Sequence, residues 1–173
     1  MSATATETRD AHEQTFRRLL RERFGVDGDL GAPLPDDGVL VAATHHRALA
    51  TALKAAGWRL YVTCVATHFP AAPGKKPGDA ETPEHFEVAT VLRTLGTGTH
   101  VARWRVSLAT AEPLDSLVHI FAGADWQERE QFDLVGVVFT GHPDLRRLMM
   151  PDEWVGHPLR RDYAIDTPHA PWR

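Results

Sequence analysis

Between Trp126 and Tyr163 the chain reads WQEREQFDLVGVVFTGHPDLRRLMMPDEWVGHPLRRDY. Groups able to do chemistry are densest here. Glu128, Arg129, Glu130 and Asp133 stand close together. On a helix, Arg129 and Asp133 would be i, i+4 neighbours, and Glu130 would share a face with Asp133. A near-repeat follows. Gly141-His142-Pro143 leads through Asp144 to Leu145-Arg146-Arg147, and Gly156-His157-Pro158 leads directly to Leu159-Arg160-Arg161. Three kinds of chemistry suit such a stretch: a metal site, a grip on phosphate or nucleic acid, or an arm that holds another protein.

The metal reading lacks organised spacing. His142 and His157 each precede a proline, with His119 and His169 not far off, but no HxH, HExxH or CxxC pattern gathers them. Cys64 is the one cysteine, so the chain can supply neither a four-thiolate zinc nor an iron–sulfur site. It sits in an apolar run and reads as a small core residue. Nucleophilic catalysis has no GxSxG elbow to support it. The GTGT at 96–99 lies between two strand-like runs, so it reads as a hairpin turn and not as a phosphate cradle. The charge balance, 19 Lys and Arg against 23 Asp and Glu, leaves a net −4 and argues against a nucleic-acid partner. The protein arm remains. Trp126, Phe132 and Leu134 interleave with the charges, so this helix must be buried on some side. Arg146, Arg147, Arg160 and Arg161 can answer its carboxylates in fork geometry.

Other elements must position this stretch. The content of hydrophobic residues, 43%, is that of a globular domain with a core of its own. Residues 1–7 read as a loose tail. A helix is expected from about Thr8 to Phe24, with Phe16, Leu19, Leu20 and Phe24 on one face and Gly25 as its stop. GDLGAPLPDDG is then a loop. A short strand is expected over Val39–Ala43, and a helix over His45–Ala56 capped by Thr44 and ended by Gly57. Trp58–Phe69, Phe86–Leu95 and Val101–Ala109 read as strands. In the last, Ala102, Trp104, Val106 and Leu108 take one face while Arg103, Arg105 and Ser107 take the other, so the sheet has one wet face. Residues 70–84, rich in Pro and Gly, read as a mobile loop.

Leu114, Leu117, Val118 and Phe121 form a short helical stripe. Asp125 opens the next helix with Glu128 three residues on, the spacing of a capping box, and Gly136 closes it. Val137–Phe139 is a brief apolar stretch. Beyond Gly141 periodicity ends, and Pro143, Pro151, Pro158, Pro168 and Pro171 punctuate an extended arm. The order of elements predicts an α+β fold: a two-layer sandwich of helices on a mostly antiparallel or mixed sheet. Residues 1–140 form the core domain and 141–173 a Pro/Arg-rich docking arm. The polar N-terminus does not read as a signal peptide, and no apolar run approaches the ~20 residues of a membrane span. The chain reads as soluble, reaching a membrane only through something else that anchors it.

These residues resemble the signature of the 30-kDa subunit family of NADH–quinone oxidoreductase, respiratory complex I. That pattern is Glu-Arg-Glu, an acid three residues on and two apolar residues. After a gap come a His, an Arg and an apolar tail. Glu128, Arg129, Glu130, Asp133, Leu134, Val135, His142, Arg146, Leu148 and Met150 fill it, and Pro158 to Tyr163 match the later Pro-Leu-Arg-basic-Asp-aromatic run. The hairpin HFEVATVLRTL to VARWRVSL, and LDSLVHIFAGADW, are similar more loosely. Gln127 stands where a leucine is common, and Ala164 where a proline is.

The resemblance implies a peripheral-arm subunit that scaffolds the quinone-reduction module while electrons pass from NADH to quinone. Its partners would be the large quinone-site subunit and the adjacent iron–sulfur subunit. FMN, iron–sulfur clusters and quinone would belong to partner subunits, and this chain would hold no cofactor and have no catalytic activity of its own. Its place would be the cytoplasmic side of the cell membrane. A homologous subunit of a membrane-bound hydrogenase, formate hydrogenlyase or deazaflavin-dependent dehydrogenase shares the signature. The residues implied at subunit interfaces are Glu128, Arg129, Glu130, Asp133, His142, Pro143, Asp144, Arg146, Arg147, Trp154, Pro158, Leu159, Arg160, Arg161, Asp162 and Tyr163. On this view the prolines stiffen the arm and lower the entropy lost on docking. Its aromatics, Trp154, Tyr163 and Trp172, are anchors for pockets in a partner.

Overall fold

A computed structural model describes residues 2–25, 38–74, 80–164 and 166. The elements, in chain order, are α1 (Ser2–Phe24), β1 (Val39–Leu40), a 3-10 turn (Ala43–His45), α2 (His46–Ala55), β2 (Leu60–Phe69), β3 (His85–Arg93), β4 (Val101–Ala109), β5 (Leu114–Asp115), α3 (Ala124–Val135) and β6 (Phe139–Thr140). Strands β2, β3 and β4 form an antiparallel meander. β1 returns beside β4 in parallel, which gives a mixed sheet of order β1-β4-β3-β2. The α+β expectation holds. β5 and β6 pair in parallel as a separate small sheet on either side of α3.

Alternation along the strands builds the core. Cross-strand rows place Cys64 beside Thr90 and Trp104, Ala66 beside Val88 and Val106, and His68 beside Phe86 and Leu108. All nine side chains are buried. The opposite face stays wet, with Arg103 exposed and Arg105 partly so. α2 covers the inner face: Leu49, Ala50 and Leu53 are fully buried, and His46 Nδ1 accepts a hydrogen bond from Trp104 Nε1 at 3.0 Å. Burial holds the His46 pKa down at about 3, so the ring is neutral and free to accept. α1 adds Phe16 and Leu20 to the same core. Gly25 and Gly57 stand just beyond α1 and α2 at φ +60° and +112°, the left-handed conformation expected of helix stops.

Several expected boundaries are corrected. α1 begins at Ser2, where a loose tail over 1–7 was expected. Threonines enter the helix by returning their hydroxyls to carbonyls one turn back, as Thr8 does to Thr4 O at 2.8 Å. Thr44 lies within the 3-10 turn, and no side chain caps α2. The hairpin from β2 to β3 outlasts both strands. Ala72 and Thr82 exchange backbone hydrogen bonds of 3.0 and 2.9 Å, which narrows the loop expected over 70–84; residues 75–79 lie outside the described part. The loop expected over 28–38 falls almost wholly outside it too.

The stripe Leu114–Phe121 is not a helix. Its buried leucines and Phe121 come from β5 followed by turns. The N–H groups of Leu114 and Ser116 go to the carbonyls of Val138 and Thr140, both at 2.9 Å, and this parallel pairing with β6 holds residues 114–116 extended, while the Leu117 N–H goes to Glu128 Oε1 at 2.7 Å. Between Gly141 and Ala164 the chain is a series of turns held against α3 and then at Glu84 and His68, and not an extended arm; residues 167–173 lie outside the described part.

Candidate functional site

α3 organises the site, because three of its faces make different contacts. Toward the sheet it presents glutamines. β2 is the edge strand, and the N–H groups of Cys64 and Ala66 point to the side β3 does not use. Gln127 Oε1 accepts the first at 2.7 Å and Gln131 Oε1 the second at 2.9 Å, while Gln127 Nε2 donates to Val62 O at 3.2 Å. Toward the small sheet it presents Glu128. The capping box expected with Asp125 is absent: Gly123 precedes α3 and no side chain caps it. Glu128 turns inward and accepts from Ser116 Oγ at 2.6 Å and Leu117 N at 2.7 Å. Burial pushes its pKa up, and these two donors oppose that rise.

The third face carries Asp133, whose side chain is 0% exposed. Its Oδ2 accepts three consecutive backbone N–H groups, from Leu148 (3.0 Å), Met149 (2.7 Å) and Met150 (2.8 Å). Its Oδ1 takes Arg147 Nη1 at 2.6 Å. Burial alone would raise this pKa. The N–H groups of Met150, Met149 and Leu148, with the Arg147 guanidinium, outweigh it and hold the carboxyl below its ordinary value. Arg147 then reaches onward, donating through Nη2 to Trp154 O at 2.9 Å and Gly156 O at 3.1 Å. One carboxylate and one guanidinium thus fix residues 147–156 on the helix.

The expected Arg129–Asp133 pair does not form. Arg129 donates to the carbonyls of Arg146 and Arg147, both at 3.2 Å, and approaches Asp144 at 3.8 Å. The repeated Gly-His-Pro now has a structural account. Gly141 and Gly156 both adopt left-handed backbone, at φ +80° and +85°. Each sends the following histidine onto a carbonyl of α3: His142 Nε2 donates to Asp125 O at 3.2 Å, and His157 Nδ1 to Asp133 O at 2.9 Å. The His157 ring also sits where a Cβ on Gly136 would be, 2.7 Å from its Cδ2. The second turn is further secured by Leu159 N donating to Leu134 O at 2.9 Å.

A second clip closes on the strand edge. His68, fully buried, donates through Nε2 to Glu84 Oε1 at 2.9 Å and accepts Arg161 N–H on Nδ1 at 3.2 Å. Arg160 bonds Glu84 Oε1 at 2.6 Å and both oxygens of Asp162 at 3.0 Å. Ligand atoms of His68, Glu84 and Asp162 lie within 4.8 Å of one another, the one such grouping among the described residues. The Arg160 guanidinium already bridges both carboxylates and supplies the positive charge a cation would bring. Its hydrogen bond to Asp162 raises the pKa of Arg160, and the same bond lowers that of Asp162. Arg161 lies over the Phe69 ring at 4.8 Å.

Among the described residues nothing here resembles an activated nucleophile. Burial pushes the Cys64 thiol up to about 12 and raises the neighbouring Tyr61 as well. The expected interface residues therefore divide. Glu128, Arg129, Asp133, His142, Arg147, Arg160 and Asp162 are engaged within the chain. Glu130 makes no side-chain hydrogen bond or ion pair among the described residues. Pro143 is exposed, and Asp144 pairs with Arg146 at 2.9 Å on the surface. Trp154, Pro158 and Tyr163 are half-buried. Trp172 lies outside the described residues. Exposed large apolar side chains crown the braced segment: Met149 at 63%, Val155 at 82% and Leu159 at 63%. Sequence reasoning missed Gln127, Gln131, Ser116, His68 and Glu84. The i, i+4 spacing of the two glutamines was the one signal available; the rest answer partners distant in sequence.

The family described as the respiratory-chain NADH dehydrogenase 30 Kd subunit matches residues 39–169. Similar proteins include a subunit of the NAD(P)H-quinone oxidoreductase of Synechococcus sp., 54% identical over 40% of each chain. A subunit of the NADH-quinone oxidoreductase of Geobacter metallireducens is 54% identical over 32% of this chain and 34% of its own. The aligned stretches thus cover well under half the length of these relatives. Among solved structures, a trypsin-resistant fragment (1–134) of Nqo5 superposes with a TM-score of 0.51 at 26% identity, over 62% of this chain and 80% of that one. With the family match running from β1 through both clips, the chain belongs to the 30-kDa subunit family of the respiratory-chain NADH dehydrogenases.

Proposed function

We propose that this chain is a cofactor-free subunit of the peripheral arm of NADH–quinone oxidoreductase and takes no chemical part in electron transfer. It holds together the module where quinone is reduced. The observation that carries the reading is the family match over residues 39–169, which includes the whole braced segment. Among the described residues no helix is long and apolar enough to cross a membrane. On this reading the chain meets the membrane through the assembled complex, on its cytoplasmic side. The partners are the large quinone-site subunit and the adjacent iron–sulfur subunit.

The division of the signature residues supports one mode of docking. Buried polar bonds hold the segment in one shape, and Met149, Val155 and Leu159 are presented from it already ordered. Ordering before docking leaves less conformational entropy to lose on assembly. The expected outcome is that Met149→Glu, Val155→Glu and Leu159→Glu together leave the thermal melt of the free chain unchanged and abolish co-purification with the partner subunits. Normal assembly of the triple variant would refute this docking surface.

FMN, iron–sulfur clusters and quinone belong to other subunits on this reading. The purified, chelator-washed chain should be colourless and contain no stoichiometric iron, zinc or flavin by elemental analysis and absorption. About one metal ion per chain would refute the cofactor-free assignment, and His68→Ala would show whether the clip is its site.

A further inference from the structure

α1 lies outside the residues matched by the family, and its seat on the sheet is built from ionisable rings. Trp58 is fully buried between two histidines. His12 of α1 meets it edge-on at 5.4 Å, and His100, at the start of the approach to β4, meets it edge-on at 5.7 Å. Phe16 of α1 completes the cluster, 6.3 Å from Trp58 and 6.0 Å from His100. The first turns of α1 press on the β3–β4 turn. A Cβ on Gly98 would fall 2.9 Å from Thr8 Cβ and collide with Ala5 O.

We propose that α1 is a proton-released strap: it lies across Trp58 while the His100 ring is neutral, and it lifts from the sheet when that ring takes up a proton. The geometry disfavours the imidazolium under α1. His100 Nδ1 is buried with no hydrogen-bond partner among the described residues, so a proton there would leave a charged N–H unanswered. The charged groups around it compound the effect. α1 contributes Arg9, His12, Glu13 and Arg17, and β3 contributes Arg93, which donates to the adjacent Thr99 Oγ1 at 3.2 Å. Glu13 alone would welcome the charge, and Arg17 already holds it at 2.7 Å.

The sign follows from the ring's own titration. Burial lowers the His100 pKa, Glu13 opposes that, and His12, Arg9 and Arg17 reinforce it. A group depressed in the docked form contributes its full docking free energy above its ordinary value of about 6.5 and loses it as pH falls below. If the docked form excludes the proton altogether, the ratio of docked to released helix falls about tenfold from pH 7.5 to pH 5.5. Release uncovers Trp58 together with the apolar stripe Phe16 and Leu20.

The test is nuclear magnetic resonance on the full chain between pH 5.0 and 7.5, following the His100 ring and the contacts of Phe16 with Trp58. The expected result is a weakening of those contacts as the docked-to-released ratio falls about tenfold, with the same midpoint as the His100 titration. The uncharged ring of His100→Phe should keep α1 docked throughout the range. Gly98→Ala should release α1 at every pH while the strand resonances stay in place. Contacts that persist unchanged to pH 5.0, or a transition that survives in His100→Phe, would overturn the proposal.

Discussion

Asp133→Ala is expected to lower the stability of the chain by about 3–5 kcal/mol. Roughly 10 °C of melting temperature would go with it. The substitution deletes the acceptor of three consecutive backbone N–H groups and strands the Arg147 guanidinium, which is mostly buried. Donors left unsatisfied carry their full desolvation cost, and this magnitude exceeds what a surface ion pair contributes. Asp133→Asn keeps an oxygen for the N–H groups but turns an amide NH2 toward Arg147, so its loss should be smaller. Denaturant titration of both variants checks the order.

The same carboxyl gives a pH signature. Its pKa in the folded chain lies below the ordinary 3.8. Its contribution is therefore complete above about pH 4 and disappears as pH falls through the lower folded value. Wild type should lose stability on acidification below pH 4 more steeply than Asp133→Ala.

Truncation after Met150 is the second large effect. The shortened chain should still fold, because the sheet, α3 and the Asp133 contacts with residues 147–150 all precede the cut. It should nevertheless be less stable by about 2–4 kcal/mol. Arg147 loses Trp154 O and Gly156 O, Asp133 O loses His157, and buried His68 loses the Arg161 N–H. On the proposed reading the segment beyond Met150 would then serve stability as well as docking. A thermal melt beside a pull-down of the partner subunits separates the two. An unchanged melt would mean the clips contribute nothing, and retained binding would locate docking elsewhere.

What was legible in the sequence follows how local each cause is. β4 was read to the residue, because strict alternation from Val101 to Ala109 reports its two faces directly. α3 was legible from its apolar interleave and Gly136. The run Leu114–Phe121 misled, because a short strand followed by turns buries the same spacing of side chains as a helix. What decided the matter was the parallel pairing of the Leu114 and Ser116 N–H groups with the carbonyls of Val138 and Thr140, a partner strand beyond α3. The site divides in the same way. Its residue types were all visible, but which carboxylate meets which arginine was not. Asp133 passes over Arg129, one helical turn away, for Arg147, and Arg160 pairs with Glu84, 76 residues away. Such pairings are set by the return path of the chain, which no window of sequence records.

The two glutamines of α3 have a meaning for how copies of the chain meet one another. An edge strand with free N–H and C=O groups is a template on which another chain can add a strand. Gln127 and Gln131 occupy Val62, Cys64 and Ala66 with amides from within the same molecule. On the opposite edge, β1 offers only two residues. The chain thus carries its own terminator on its longest strand edge, where Val62, Cys64 and Ala66 no longer offer these groups to a second copy.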